Sequence, residues 1–265
     1  MTVTTAPARL VVGLAPMQFS DRDAEHKSDA ARVFARAEAK GYAALIGTEA
    51  SVGAGRLPEY LEDEAHAHGY RFHRRHGTWL AVAKRLGPEV DRGYVKVIGS
   101  HTMEHEPTSA RYDPRGIPWL TVDATRHGIG NLTVGVSHFL TKGRQRGQTP
   151  AGPANHYRLN DELSAAIGEW AADHGKGKGL VLWGADTNRL DSTGDVFNDL
   201  APLTTCWDDL GKWPNTGHGN IDVLARYDRD GRVSCAWARS LNDAAYPLAT
   251  DHYLTEAAYD VELLP

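Results

Sequence analysis

Two cysteines are all that this 265-residue sequence contains, Cys206 and Cys235, and their spacing fits neither a metal knuckle nor a redox motif. That excludes a disulfide framework, and free thiols in a reducing, cytoplasmic compartment are expected. Long apolar runs are lacking as well: nothing approaches the ~18 residues that a membrane-crossing helix needs. The opening MTVTTAPARLVVGLAPMQ has no basic start followed by a long apolar stretch and a cleavage site, so a soluble chain that is not exported is expected. Positive charge is in short supply, with 29 Lys+Arg against 34 Asp+Glu and a formal net charge of -5. This excludes the global basic field that many nucleic-acid binders carry, though not a local basic groove. Internal repeats and interdomain linkers are absent too. One domain over residues 1–265 with a large core is the expectation, and no protein partner is implied.

What is present is a set of short apolar runs that end abruptly on polar side chains. In GLVLWGADTNRLD, residues 179–191, an apolar stretch suited to a buried strand gives way to Asp186, Thr187 and Asn188. An Asx-turn closing a strand accounts for these residues. So does a metal or phosphate site, because ligands collect at the carboxyl ends of strands in α/β sheets.

In chain order, a first strand over residues 10–14 ends at Ala15-Pro16-Met17-Gln18. A helix over 21–40 follows, capped by Ser20 or Asp21 and stopped by Gly41, with Ala30, Val33, Phe34 and Ala37 at helical spacing. A second strand over 42–46 leads into Gly47-Thr48-Glu49. A polar-faced helix is read over 59–68, then paired strands over 79–83 and 94–98 across GPEVDRG. Residues 119–122 and 132–136 resemble another hairpin, which ends in Ser137-His138. After a Gly/Pro/Arg-rich loop, a helix over 159–172 offers Leu163, Ile167, Trp170 and Ala171 on one face. Beyond the strand at 180–183 come strands over 221–225 and 233–238 around an Asp230-Gly231 turn, and a final segment over 253–264 after Thr250-Asp251-His252.

Gln18, Glu49, His138, Asp186, Asn188, Asp222, Asp251 and His252 thus all fall at or near strand ends. Each alone is ordinarily a capping or turn residue; together they point to a shared site. Glu49, Gln18 and Asp251 are hard oxygen donors that suit magnesium or manganese, and two histidines can move protons near neutral pH. The chemistry such a set supports is metal-assisted hydrolysis.

Five segments carry a resemblance: IGTEAS, TVGVSHFL, LVLWGADTN, NIDVLARY and ATDHYLTEA. They resemble, in order, the glutamate, N-x-H-L, G-D-x-N, I-D-y-I and S-D-H segments of the endonuclease/exonuclease/phosphatase superfamily, over a span from about Val11 to the C terminus. Gln18 and Val136 stand where the family usually has Asn, Ala185 separates Gly184 from Asp186, and Thr250 replaces Ser. The resemblance implies an α/β (α+β) fold of the deoxyribonuclease I type, a four-layer sandwich of two packed, mostly antiparallel β-sheets flanked by helices. It also implies a magnesium- or manganese-dependent phosphodiester hydrolase, a nuclease acting on DNA or RNA, with a small-molecule or lipid phosphoesterase as the alternative. A non-catalytic binding scaffold on the same fold is the reading from another class. Matched residue by residue, Glu49 would be the principal metal ligand, completed by Gln18 and Asp251. His252 would be the general base, with Asp222 accepting a hydrogen bond from its other ring nitrogen. Asp186 and Asn188 would orient the water and a phosphate oxygen. His138 would bind the scissile phosphate or protonate the leaving oxygen, and Arg115 falls where a further phosphate-binding arginine is expected.

Other features have plainer readings. His101-Thr-Met-Glu104-His105 matches an H-x-x-E-H zinc pattern, but that site needs a helix, and Pro107 and the β-rich run before it favour a loop. Trp207 and Trp213 can stack on a base or anchor the core. Lys142, Arg144 and Arg146 can contact phosphates or form a solvated tip.

Overall fold

The structure is a computed structural model that describes residues 8–17, 23–49, 59–99, 101–102, 111–112, 114–140, 154–177, 179–188, 200–211, 222–241, 246, 248, 250 and 252–264. Two six-stranded sheets dominate it. The first runs in the order β13 (Val233–Leu241), β14 (Leu254–Val261), β1 (Ala8–Leu14), β2 (Ala44–Gly47), β4 (Thr78–Ala83), β3 (Tyr70–Arg75). The second runs β11 (Thr204–Thr205), β12 (Asp222–Asp228), β10 (Leu180–Asp186), β9 (Asn131–His138), β8 (Arg115–Asp123), β5 (Glu89–Ile98). Each sheet has one parallel pair at its centre, β1 with β2 and β9 with β10, and antiparallel neighbours elsewhere. A parallel pair needs a crossover, and the crossovers are helices: α1 (Asp23–Ala39) joins β1 to β2, and α3 (Ala154–His174) joins β9 to β10.

Alternation along the strands explains the layers. Leu180, Leu182, Val134, Val136 and Leu224 share a core with Ile46 and Val82 of the first sheet, and that core extends to Val33 and Phe34 of α1 and Leu61 of α2 (Glu59–Ala67). The intervening residues Val181, Trp183, Ala185, Val223 and Ala225 join Leu163, Ile167 and Trp170 of α3 in a second core. Because β10 is buried on both faces, it reads as a continuous apolar run and not as an alternating one. Helix, sheet, sheet and helix are the layers of the deoxyribonuclease I-like sandwich.

Two strand assignments change. The segments over 79–83 and 94–98 are not partners: β4 pairs with β2 and β3, whereas β5 pairs with β8 in the other sheet. A 3-10 turn at Lys84–Leu86 carries the chain between the sheets, whose edges meet where His73 Nε2 lies 3.0 Å from the Gly93 carbonyl oxygen. The partner of β4 is instead β3, YRFHRR, whose charged side chains mask the alternation of buried Tyr70 and Phe72. His101 lies on a short strand, β6 (His101–Thr102), paired with β7 (Arg111–Tyr112), so it starts no metal-binding helix; Glu104 and His105 lie outside the described residues. Trp207, on α4 (Cys206–Leu210), is a core residue, and Trp213 lies outside the described residues. Both cysteines are buried and free. Among the described residues no helix is long and apolar enough to cross a membrane.

Candidate active site

Strand register assembles the site. Leu180 pairs with Leu132, Leu182 with Val134, Gly184 with Val136 and Leu224, and Asp186 with His138 and Asp222. Since side chains alternate between faces, the even-numbered residues of these three strands look toward the first sheet. On β9 and β10 the first rows are apolar and fill the shared core, whereas β12 sets Asp228 and Arg226 beside Leu180 and Leu182; a side chain at Gly184 would already meet Ile46 from the other sheet at 3.2 Å. The last row is polar. His138, Asp186 and Asp222 therefore cap the inter-sheet core, 6%, 0% and 0% exposed. The first sheet faces them with Glu49, just past β2, and His252, just before β14, on the two strands that flank β1.

Hydrogen bonds lock the row. Asp186 Oδ1 accepts the Asn188 backbone N–H at 2.8 Å. Asn188 Nδ2 donates to the Phe139 carbonyl at 3.0 Å and lies 3.0 Å from His138 Nε2. With the amide oriented by that carbonyl, Nε2 is the acceptor and the ring proton sits on Nδ1. Asp186 Oδ2 lies 3.3 Å from the same Nε2 and makes no hydrogen bond. On the other side, His252 Nδ1 donates to Asp222 Oδ2 at 2.8 Å, and the His252 backbone N–H reaches Thr250 Oγ1 at 3.3 Å. The Glu49 carboxylate stands between the histidines, Oε1 3.6 Å from His138 Nε2 and Oε2 3.9 Å from His252 Nε2.

Backbone strain gathers at the same end. Glu49 and Asn188 have φ of 61° and 51°, a region that non-glycine residues seldom occupy. The remaining described case, His76 at 43°, belongs to the β3–β4 hairpin turn with Gly77. Charges respond to the packing. Burial alone would lower the His252 pKa, but the hydrogen bond and charge of Asp222, then the charges of Asp186 and Glu49, outweigh it and push the ring up to about 10. Burial opposes ionisation of Asp186, yet the close approach of His138, the charge of His252 and the Asn188 N–H hold it below the usual carboxylate range.

No family model matches the sequence, and no curated protein does. Solved structures do. An endonuclease/exonuclease/phosphatase from Bacteroides vulgatus superposes with a TM-score of 0.68 at 11% identity, over 96% of this chain and 100% of that one. TDP2 from D. rerio, complexed with single-strand DNA product, gives 0.65 at 14% identity, over 96% and 100%. A mannosyl-6-phosphatase from Bacteroides thetaiotaomicron gives 0.65 at 12%, over 94% and 98%. The chain has the endonuclease/exonuclease/phosphatase fold.

Within that fold the residues present fit a metal ion. One ligand atom each from Glu49, His138 and Asp186 lie within 4.8 Å of one another, as do those of Asp186, Asp222 and His252. Three carboxylates thus converge on two imidazoles in a buried place, with Asp186 Oδ2 making no hydrogen bond and Glu49 beyond hydrogen-bond reach of either ring. Buried negative charge of this kind calls for a cation, and oxygen donors suit a hard divalent one.

Register and hydrogen bonding therefore bring Glu49, His138, Asp186, Asn188, Asp222 and His252 together. Gln18 and Asp251 lie outside the described residues. Arg115 opens β8, whose antiparallel pairing with β9 sets it toward the same end of the sheet as His138. Sequence reasoning passes over Asn160 of α3, a polar residue three positions before Leu163 on the buried stripe, although that placement is itself a signal.

Proposed function

We propose that the protein is a divalent-metal-dependent phosphodiesterase that hydrolyses DNA or RNA, a superfamily member in activity as well as fold, with one domain over its whole length. The observation that carries this reading is the Asp222–His252 pair at 2.8 Å, set opposite Glu49 and next to the Asp186–Asn188–His138 row. Magnesium or manganese would be held by Glu49, with Gln18 and Asp251. When bound, it neutralises the charge that builds on the phosphoryl oxygens.

The side chains supply the rest. Asp222 fixes the tautomer of His252 by accepting its Nδ1–H, which leaves Nε2 to take a proton from the attacking water. That water forms the new P–O bond as the bond to the leaving oxygen breaks. Asn188 and Asp186 orient the water and a phosphate oxygen, His138 binds the phosphate or protonates the leaving oxygen, and Arg115 adds a phosphate contact. Against burial, Asp222, Asp186 and Glu49 push the His252 pKa up to about 10, and a divalent cation held at Glu49 would oppose the imidazolium.

A polynucleotide substrate is supported by the likeness to a structure complexed with single-strand DNA product and by Lys142, Arg144 and Arg146 in the segment after His138. The equal TM-score of 0.65 to a sugar phosphatase and the net charge of -5 support a small phosphate ester as second reading. The two free, buried thiols support a reducing, cytoplasmic setting. Plasmid, single-stranded oligonucleotide, RNA, bis-p-nitrophenyl phosphate and a sugar phosphate, each with magnesium or manganese, form the test. Cleavage of a polynucleotide is expected. Turnover of the sugar phosphate alone would favour the second reading, and no turnover at all would leave a binding scaffold.

A further inference from the structure

We propose that Asn160 is a positioning residue that sets His138 and Asn188 from outside the site. The proposal rests on the reading of those two side chains as substrate-facing groups. Asn160 is completely buried on the face of α3 that carries Leu163 and Ile167. A carboxamide there is unfavourable unless its donor and acceptor are both used. Both are used on one residue: Leu140 N–H donates to Asn160 Oδ1 at 2.9 Å, and Asn160 Nδ2 donates to the Leu140 carbonyl at 3.1 Å.

A side chain that offers a donor and an acceptor to the N–H and C=O of a single residue stands in for a neighbouring strand. It does so where β9 runs out of one. The β9–β10 ladder ends at His138 opposite Asp186, and the next backbone bond, Phe139 N–H to the Asp186 carbonyl at 3.0 Å, is the last between them among the described residues. Immediately beyond, Asn160 holds Leu140. Between these two anchors the Phe139 carbonyl is presented to Asn188 Nδ2, and the same amide lies against His138 Nε2. The linkage is continuous: Asn160 fixes Leu140, which fixes the Phe139 carbonyl, which orients the Asn188 amide, which sets the bond to His138.

Histidine-labelled, metal-free protein tests this in the wild type, Asn160→Ala and Asn160→Asp. The Asp variant keeps the volume and the bond from Leu140 N–H but sets an oxygen against the Leu140 carbonyl, so it disturbs the linkage without opening a cavity. In both variants the His138 ring nitrogen resonances should move, while those of His68, which pairs with Glu38 of α1, stay in place. The Leu140 amide should exchange about tenfold faster or more. With bis-p-nitrophenyl phosphate and manganese, kcat should fall roughly 10- to 100-fold while KM changes by about threefold or less. His138 resonances at wild-type positions in a folded variant would overturn the proposal and leave Asn160 a packing residue, as would failure of both variants to fold. Absence of turnover in the wild type would count against the phosphodiesterase reading alone, because the resonances need no substrate.

Discussion

The two halves of the sandwich are built alike and end differently. In one, α1 joins β1 to its parallel neighbour β2; in the other, α3 joins β9 to β10. Both second strands leave through a buried threonine, Thr48 or Thr187, into a residue of positive φ, Glu49 or Asn188. They differ in the residue before that threonine. Asp186 captures the Asn188 N–H at 2.8 Å and closes an Asx-turn, whereas Gly47 has no side chain to offer, and a Cβ there would lie 2.1 Å from the Trp79 ring. The β9–β10 half is braced by its own polar groups, through Asn188 to His138 and Phe139. The β1–β2 half presents a carboxylate between two histidines at 3.6 and 3.9 Å, too far for a hydrogen bond. On the proposed reading one half is a template that orients a phosphate and the other supplies a ligand for a cation.

Removing a group that the first sheet presents has the largest expected effect. Glu49→Ala and His252→Ala are each expected to lower turnover by about 10³-fold or more. Calorimetric titration with magnesium should separate them, with binding lost in Glu49→Ala and retained in His252→Ala. Turnover of His252→Ala within tenfold of wild type would show that another group is the base. Asn188→Ala is expected to cost about 10²-fold in kcat and to leave magnesium affinity near wild type. Equal loss of affinity in Glu49→Ala and Asn188→Ala would mean that the halves do not divide the work as described.

The braced half was the more legible one. VGVSH, VLWGAD and IDVLA each place a polar residue at a strand end, which is legible in the sequence; that His138, Asp186 and Asp222 share a face follows from the register, because an apolar run such as β10 does not show by alternation which face is which. Glu49 was legible as a strand-end residue, but not its positive φ, since glutamate has no intrinsic preference for that region. Strand β3 was hidden by its arginines and histidine. The false pairing of β4 with β5 arose because GPEVDRG carries ordinary turn residues, although Glu89 to Gly93 already belong to β5 and the chain crosses to the other sheet at Lys84–Leu86. Asn160 was concealed by Asp161 and Glu162 beside it, which make that turn of α3 look solvated.

Titration of the paired histidine sharpens the contrast next. The folded His252 pKa of about 10 lies above its ordinary 6.5, so the Asp222 pair contributes stability that is fully present below 6.5 and is lost as pH rises toward about 10. Metal-free protein should therefore unfold more easily in urea as pH climbs through that window. His252→Gln should flatten the slope there and also weaken the acid-side dependence, because it removes one of the charges that hold Asp186 low. A wild-type slope that persists in His252→Gln would assign it to another group.

The smallest expected effect asks about strain alone. Glu49 at φ 61° costs of order 1 kcal/mol, and no side chain two residues back returns a bond for it. Glu49→Gly should stabilise the metal-free protein by about 0.5 kcal/mol, because relief of strain and of carboxylate crowding exceeds the added freedom of the unfolded chain. Asn188 at φ 51° is of a residue type that tolerates the region, and its amide holds Phe139 and His138. Asn188→Gly should therefore destabilise, by about 1 kcal/mol for the lost bonds. Opposite signs in urea unfolding at one pH are the expected result. Like signs would mean that Glu49 is braced as firmly as Asn188, and that the ligand half is no less fixed than the template.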